Sequence, residues 1–290
     1  MLVALIRSLR PTQWSKNAFV LAPLVFARQA TDPGTLLRAL AAFAAFSAAS
    51  SAVYLINDVR DRERDRHHPL KAKRPIAAGQ VTPAVALATA VVLTVAAVAV
   101  GWRLDPVVAL ILAGYVALNI AYSLRLKRVV ILDVMVISAG FVLRVLAGAN
   151  AISVQVSSWL ILCTVFVSLF LAFSKRRHEL MLLADNATDQ RSVLGHYSPI
   201  FLDQMINVVS ASTVVAYALY AVSPETAERF NTQHLVYTVP FVLFGIFRYL
   251  YLIYQHPGER NPTEELLSDP PFLTNVLAWG AAVVWIVYGS

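Results

Sequence analysis

Long apolar runs separated by short polar breaks dominate the chain. A membrane-spanning helix needs about 20 predominantly apolar residues in a row. Runs of that kind recur along the whole sequence and predict nine membrane helices, over roughly residues 14–30, 35–57, 82–101, 106–124, 130–150, 156–174, 204–222, 234–254 and 271–289. The first is the weakest. Its apolar stretch, Ala18 to Ala27, is short for a span and carries Pro23, so it is expected to tilt or lie partly in the interface. Several breaks are brief and turn-like: Asp32-Pro33-Gly34, Asp105-Pro106 and Asn150 to Gln155. Three longer polar stretches, 57–81, 175–203 and 255–270, have room for chemistry. No inverted repeat or low-complexity linker divides the chain, so residues 1–290 are expected to form a single all-α polytopic membrane domain.

Composition narrows the class further. The 290 residues are 58% hydrophobic and 14% charged, whereas soluble domains carry about 25% charged residues. A soluble globular protein, a disordered chain and a disulfide-stapled module are excluded. Cys163 stands alone in an apolar run, which rules out an intramolecular disulfide or a cysteine metal cluster. The opening MLVALIRSLRPTQW has too short an apolar stretch before Arg7 and Arg10 for a secretory signal.

The net charge of +7 would suggest nucleic acid in a soluble protein. Here its distribution gives another answer. If the N-terminus is cytoplasmic, that side collects Arg7, Arg10, Lys16, the bases of 60–74, Arg125 to Arg128, Lys175 to Arg177, Arg191 and Arg260. The other side keeps Arg28, Arg38, Arg103 and Arg229. The positive-inside rule then fixes the orientation and turns all three long polar stretches to the cytoplasm. No nucleic-acid partner is expected.

The most informative segment is Asn57-Asp58-Val59-Arg60-Asp61-Arg62-Glu63-Arg64-Asp65, which continues the second predicted helix. At about 100° per residue, Asn57, Asp58, Asp61 and Asp65 share one face. Three carboxylates and an amide are hard oxygen donors, a set that suits Mg²⁺ completed by substrate phosphates and waters. The bland alternative is a solvated charged helix end. The following loop carries His67, His68, Lys71, Lys73 and Arg74. Adjacent loop histidines are more often solvated than metal-bound, but the cations next to the acids change the balance. Metal ligands beside cations are what a departing diphosphate requires.

The pattern N-D-x-x-D-x-x-x-D followed by K-x-R-P-I-A-x-G, on Asn57, Asp58, Asp61, Asp65, Lys71 or Lys73, Arg74, Pro75, Ile76 and Gly79, resembles the first aspartate-rich motif of the UbiA superfamily of intramembrane prenyltransferases. The resemblance implies helices around a lipid-facing cavity, with aspartates that bind Mg²⁺ and diphosphate. Many members carry a second D-x-x-x-D cluster after the fourth helix. This chain has Tyr122-Ser123-Leu124-Arg125-Leu126-Lys127-Arg128 and then only Asp133. Less acid and more base fits direct phosphate contacts. With the segments Arg10 to Asn17, Gly140 to Gly148, Ser174 to Leu180 and Pro262 to Asp269, it resembles the decaprenyl-phosphate phosphoribosyltransferase branch.

Arg144 lies about three turns into the fifth predicted helix, on the face of Asp133. A cation there costs roughly 2.5–3.5 kcal/mol and should meet an anion, either a substrate phosphate or, in a structural pair, Asp133 or another buried acid. Lys16 and Lys175 sit at helix ends, where they either hold phosphate or snorkel. Lys175 and Glu179 also have the i,i+4 spacing of a plain helix pair.

The resemblance implies Mg²⁺-dependent transfer of 5-phosphoribose from phosphoribosyl diphosphate to a polyprenyl phosphate. This is a step toward a cell-envelope arabinose donor in a bacterial cytoplasmic membrane. Asp58, Asp61 and Asp65 with Asn57 would hold the metal, and Lys71, Lys73 and Arg74 would neutralise the diphosphate. Lys16, Tyr122, Lys127, Asp133, Arg144, Lys175 and Arg176 are candidate contacts to the remaining substrate. Self-association stays open. Two alternatives are a prenyltransferase joining a prenyl diphosphate to an aromatic acceptor, and a transporter. A transporter would place charges near the midplane on broken helices.

Overall fold

The computed structural model describes residues 2–67, 71–185, 193–255, 266 and 268–289. Among them every regular element is a helix. A short α1 (Leu2–Ser8) leads into a 3-10 stretch, Pro11–Val20, and a five-residue α2, Ala22–Phe26. Then come α3 (Pro33–Arg60), α4 (Arg62–Arg66), α5 (Pro83–Leu104), α6 (Pro106–Leu124), α7 (Leu132–Ala151) and α8 (Ser158–Asp185). The chain continues with α9 (Pro199–Val222), α10 (Pro224–Phe230), α11 (Val239–Gln255) and α12 (Pro270–Gly289).

Eight helices among the described residues are long and apolar enough to cross a membrane, against the nine expected. The difference lies at 14–30. A 3-10 helix and a single turn of α-helix replace the continuous span there. Pro11 and Pro23 interrupt the segment, and Asn17 turns inward to donate from Nδ2 to Ser47 Oγ at 3.0 Å and Ser50 Oγ at 3.3 Å. A hydrophobic count registers the apolar residues of 18–27 but not that the segment is fixed by a buried amide.

Most long helices begin in one way: proline in the first turn, preceded by a side-chain cap. Asp32 accepts from Thr35 N–H at 2.7 Å, Asp105 from Val107 N–H at 2.7 Å, and Ser198 from Phe201 N–H at 3.1 Å. Proline lacks the N–H that a first turn cannot use, and the cap satisfies one of the orphan donors.

The described residues gather into two compact units. The first comprises Met1–Leu126 and Val142–Val156. Its core packs Ala42, Ala45, Phe46 and Ala49 of α3 with Val108, Leu112 and Tyr115 of α6. Small residues let helix backbones approach closely, the usual source of packing energy in membranes. The closest approach is at Gly148 of α7, where a Cβ would lie 1.8 Å from the Val20 carbonyl oxygen. Arg38 closes two helix ends together: Nε donates to the Ala151 carbonyl and Nη2 to the Leu104 carbonyl, each at 2.7 Å. These are orphan C-terminal carbonyls that would otherwise lack partners.

The second unit comprises Lys127–Phe141 and Ser157–Ser290. Leu169, Phe170, Phe173, Leu202, Ile206, Tyr249 and Leu252 form its core. Asp269 caps α12 by accepting from Phe272 N–H at 2.9 Å, and it takes Arg248 in a two-pronged pair at 2.8 and 3.0 Å.

Two predictions follow from these contacts. Gly148→Ala forces the Val20 backbone aside and should cost about 1–3 kcal/mol, read as a lower unfolding midpoint in detergent. An unchanged midpoint would contradict the close approach. Arg248, and then the Phe272 N–H, hold the Asp269 carboxyl below the ordinary carboxylate range. A depressed folded pKa gives stability that is present above the unfolded value, about 3.9, and lost as pH falls through the folded one. Asp269→Asn should therefore lower the melting midpoint by a constant amount from pH 8 to about 5, and the gap should shrink below about pH 4. A pH-independent gap would exclude the carboxylate as its source.

Candidate active site

The site in the first unit is built where α3 gives way to α4. Asp61, at φ −88° and ψ 5°, closes α3 and opens α4. The main-chain ladder runs through this joint: Asp61 N–H donates to Asn57 C=O at 2.9 Å and Asp65 N–H to Asp61 C=O at 2.8 Å. The turn at Asp61 nevertheless departs from straight helical spacing. Asp58 and Asp65 are buried at 3% exposure each, whereas Asp61 is only half-buried. The expected face of three aspartates thus resolves into a buried pair with Asp61 at its edge.

One nitrogen joins the pair. Arg74 Nη1 donates to Asp58 Oδ1 at 3.1 Å and to Asp65 Oδ2 at 2.7 Å. The loop after Arg74 sets its position. Ile76 is fully buried in a cluster with Leu55, Val81 and Ala86. The chain then folds back, with Gln80 N–H donating to Pro75 C=O at 2.8 Å. Gly79 supplies the left-handed residue of this turn at φ 75°, a conformation a side chain would penalise. Lys71 and Lys73 lie in the short 3-10 turn just before Arg74, with Lys73 exposed. His67 turns away, its Nδ1 lying 2.8 Å from the Glu63 carbonyl. His68 falls outside the described residues.

A second guanidinium arrives from far along the sequence. Arg10 Nη2 donates to Asp58 Oδ1 at 2.5 Å, and its guanidinium carbon lies 4.9 Å from the centre of the Tyr54 ring. Arg10 adopts the left-handed backbone, φ 54° and ψ 62°, although it precedes a proline. For a non-glycine residue that conformation costs about 1–2 kcal/mol, and proline steers its predecessor toward extended backbone. Ser51 holds the turn from both sides: its Oγ donates to Leu9 C=O at 3.0 Å and accepts from Trp14 Nε1 at 3.1 Å. The sequence shows Arg10 within R-P-T-Q-W-S-K-N, but there it reads only as a topology charge. Lys16, half-buried, follows in the same 3-10 stretch.

Asn57 is engaged by a residue that sequence reasoning passed over. Ser123 Oγ donates to Asn57 Oδ1 in a short hydrogen bond. The second motif thus reaches the first through Ser123, next to half-buried Tyr122.

Arg144, 5% exposed, takes different partners from those expected. Its Nε donates to Asn17 Oδ1 at 2.8 Å and its Nη2 to Tyr115 Oη at 3.0 Å. Its guanidinium carbon also lies 4.9 Å from the Phe46 ring centre and 5.0 Å from that of Tyr115. Oriented dipoles and ring faces offset the cost of this buried cation.

In the second unit, Asp133 and Arg176 are fully buried and face one another, with Arg176 Nε 3.0 Å from Asp133 Oδ2. Arg176 also bonds Glu179, the acid spaced for Lys175. Tyr197 Oη donates to Asp133 Oδ1 at 2.7 Å and accepts from Ile131 N–H at 2.7 Å. Burial, and then the bond to Asp133, push the Tyr197 hydroxyl above the ordinary phenol range, so it stays a donor. Breaking such a buried pair from one side costs about 3–5 kcal/mol. Lys127 and Lys175 belong to this unit and are half-buried.

The donors at Asp58, Asp65 and Asn57 are all oxygens, and Arg74 draws the two carboxylates together. That chemistry fits a hard dication. Among the described residues no three His, Cys, Asp or Glu side chains gather into a cage sufficient by themselves. An ion that keeps several waters and takes one or two carboxylates plus substrate phosphates needs no such cage.

Comparisons with known proteins bear on the family and the fold. The chain is 34% identical to a decaprenyl-phosphate phosphoribosyltransferase of Mycolicibacterium smegmatis, covering 99% of this chain and 93% of the relative. It is 34% identical to the protein of the same name from Mycobacterium tuberculosis, covering 98% and 94%. In fold it is similar to a UbiA homologue from Archaeoglobus fulgidus solved with GPP and Mg²⁺. That match has a TM-score of 0.74 at 20% identity and covers 97% of this chain and 99% of that one. The family model described as the UbiA prenyltransferase family matches residues 18–265, and the chain belongs to that family.

Proposed function

We propose that the protein transfers 5-phosphoribose from 5-phosphoribosyl 1-diphosphate to a polyprenyl phosphate of the decaprenyl type, with Mg²⁺, and releases diphosphate. The observation that carries this reading is the near full-length likeness to the two decaprenyl-phosphate phosphoribosyltransferases. The site adds chemical support, because buried acids beside guanidinium groups suit a metal–diphosphate leaving group.

In this scheme Asp58, Asp65 and Asp61, with Asn57, hold the metal, which when bound offsets the charge that builds on the departing diphosphate. Arg74, Lys71 and Lys73 bind diphosphate oxygens and hold them in line with the breaking bond. Ser123 fixes the Asn57 amide. The anomeric carbon gains positive character as the diphosphate leaves, and the lipid phosphate attacks from the opposite face, with inversion. A phosphate is ionised near pH 7, so the residues position and stabilise charge and no strong general base is needed. Lys16 and Tyr122 in the first unit, and Lys127 and Lys175 in the second, are assigned to phosphate oxygens of the two substrates. Arg144, Asp133 and Arg176, each buried and engaged within its own unit, are assigned to the framework. The clustering of bases in 57–81 and 175–177 supports a site on the cytoplasmic face of a bacterial inner membrane. The product suits an arabinose donor for the cell envelope.

A prenyltransferase acting on an aromatic acceptor would share the fold and the first motif. The chain's only acid in the second motif is Asp133, and it is committed to Arg176 and Tyr197.

Purified protein given Mg²⁺, labelled phosphoribosyl diphosphate and a polyprenyl phosphate should yield labelled lipid and free diphosphate. Turnover of a prenyl diphosphate with an aromatic acid instead, and no labelled lipid, would overturn the proposal. Asp58→Asn and Asp61→Asn should each lower turnover by about 10²–10³-fold while keeping the detergent-solubilised protein folded. Full turnover in both would remove these carboxylates from the metal site.

A further inference from the structure

Asp58 is held by two cations from different parts of the chain, and the charges around it cancel. Arg10 and Arg74 both donate to its Oδ1, and Arg74 also bonds Asp65. Two buried carboxylates are thus met by two guanidiniums. A lone dication entering here would find its ligands already offset by cations, and it would have to displace those cations or sit beside them. A lone diphosphate would find its guanidinium donors already held by carboxylates. Each partner taken singly leaves a charge unpaired at a site where Asp58 and Asp65 are almost wholly out of water, and that is costly. The two together allow an exchange in which every charge keeps a partner: carboxylates pass to the metal and guanidiniums pass to phosphate oxygens.

We propose that Arg10 is a positioning residue that makes metal binding conditional on diphosphate, so that the dication enters Asp58 and Asp65 as a metal–diphosphate complex and not alone. This rests on the reading of the site as a metal–diphosphate site. Arg10 suits the role better than a surface base would. Its backbone is fixed in the left-handed turn that Ser51 anchors on both sides, and its guanidinium lies against the Tyr54 ring. It therefore stays aimed at Asp58 Oδ1 and returns there when the ligand leaves.

The test is equilibrium dialysis of labelled Mn²⁺ against the full-length protein in nanodiscs, with and without inorganic pyrophosphate. For the wild-type chain, pyrophosphate should tighten Mn²⁺ binding by about tenfold or more, within the usual range for coupled sites. Labelled pyrophosphate should show the same factor in response to Mn²⁺, because the coupling is reciprocal. Arg10→Gln should tighten binding of Mn²⁺ alone and reduce the coupling to about twofold or less. Arg10→Lys, which keeps the charge, should restore most of it. Melting curves check that each variant is folded, and Arg74→Gln gives a second route to the same loss of coupling. Wild-type protein that binds Mn²⁺ alone as tightly as with pyrophosphate would overturn the inference. So would folded Arg10→Gln with undiminished coupling. Phosphoribosyl transfer that persists beside either result would overturn this inference alone. A wild-type chain that binds neither metal nor pyrophosphate would overturn the reading of the site as well.

Discussion

A charge inside an apolar helical protein must find its partner within the protein, because the surroundings offer none. The chain meets this constraint in three ways. Arg176 is locked against Asp133, with both groups buried, and against half-buried Glu179. Arg144 is held by an amide oxygen, a phenol and two ring faces. Asp58 and Asp65 are balanced by Arg10 and Arg74, whose side chains keep 28% and 31% of their surface in contact with solvent. Of these three, the third joins two buried acids to cations that remain within reach of an incoming anion. The first two make scaffold, and the third makes a site.

The scaffold serves that site through short, specific contacts. The 3-10 stretch of 11–20 is drawn onto α3 by Asn17 and Trp14, and onto α7 by the absence of a side chain at Gly148. That is why Arg10 can reach a carboxylate 48 residues away. Asp58 rides on the end of the longest helix of the first unit, whose small residues pack tightly below it, and Asp65 sits on the short α4 that follows.

Much of this was legible in the sequence, and the parts that were not share one cause. From residue 33 onward, run length and proline-led caps mark most spans to within a few residues, because hydrophobic length is a property of each segment alone; the exception is α8, expected to end at 174, which runs on through the charged residues to Asp185. The acidic pattern is legible for the same reason, being a local helical period. Residues 14–30 mislead because their structure depends on Asn17 finding Ser47 and Ser50 on another helix. Arg10 and Ser123 show no role in the sequence, since each acts through a partner distant along the chain. The depth of Arg144 is legible from its place in an apolar helix, but the amide of Asn17 and the rings of Phe46 and Tyr115 that hold it come from other elements.

The position of these partners along the chain also bears on how the protein is made. Arg10, Asp58, Asp65 and Arg74 all lie within the first 74 residues. A chain is synthesised from its N-terminus, and its early parts fold while later ones are still emerging. The two acids can therefore be neutralised by cations that precede and closely follow them, before α5 is complete. The nascent helix end need not carry unpaired carboxylates while it waits for a substrate or for the rest of the protein. The counter-ions of the finished site are in this sense also its escort during biogenesis.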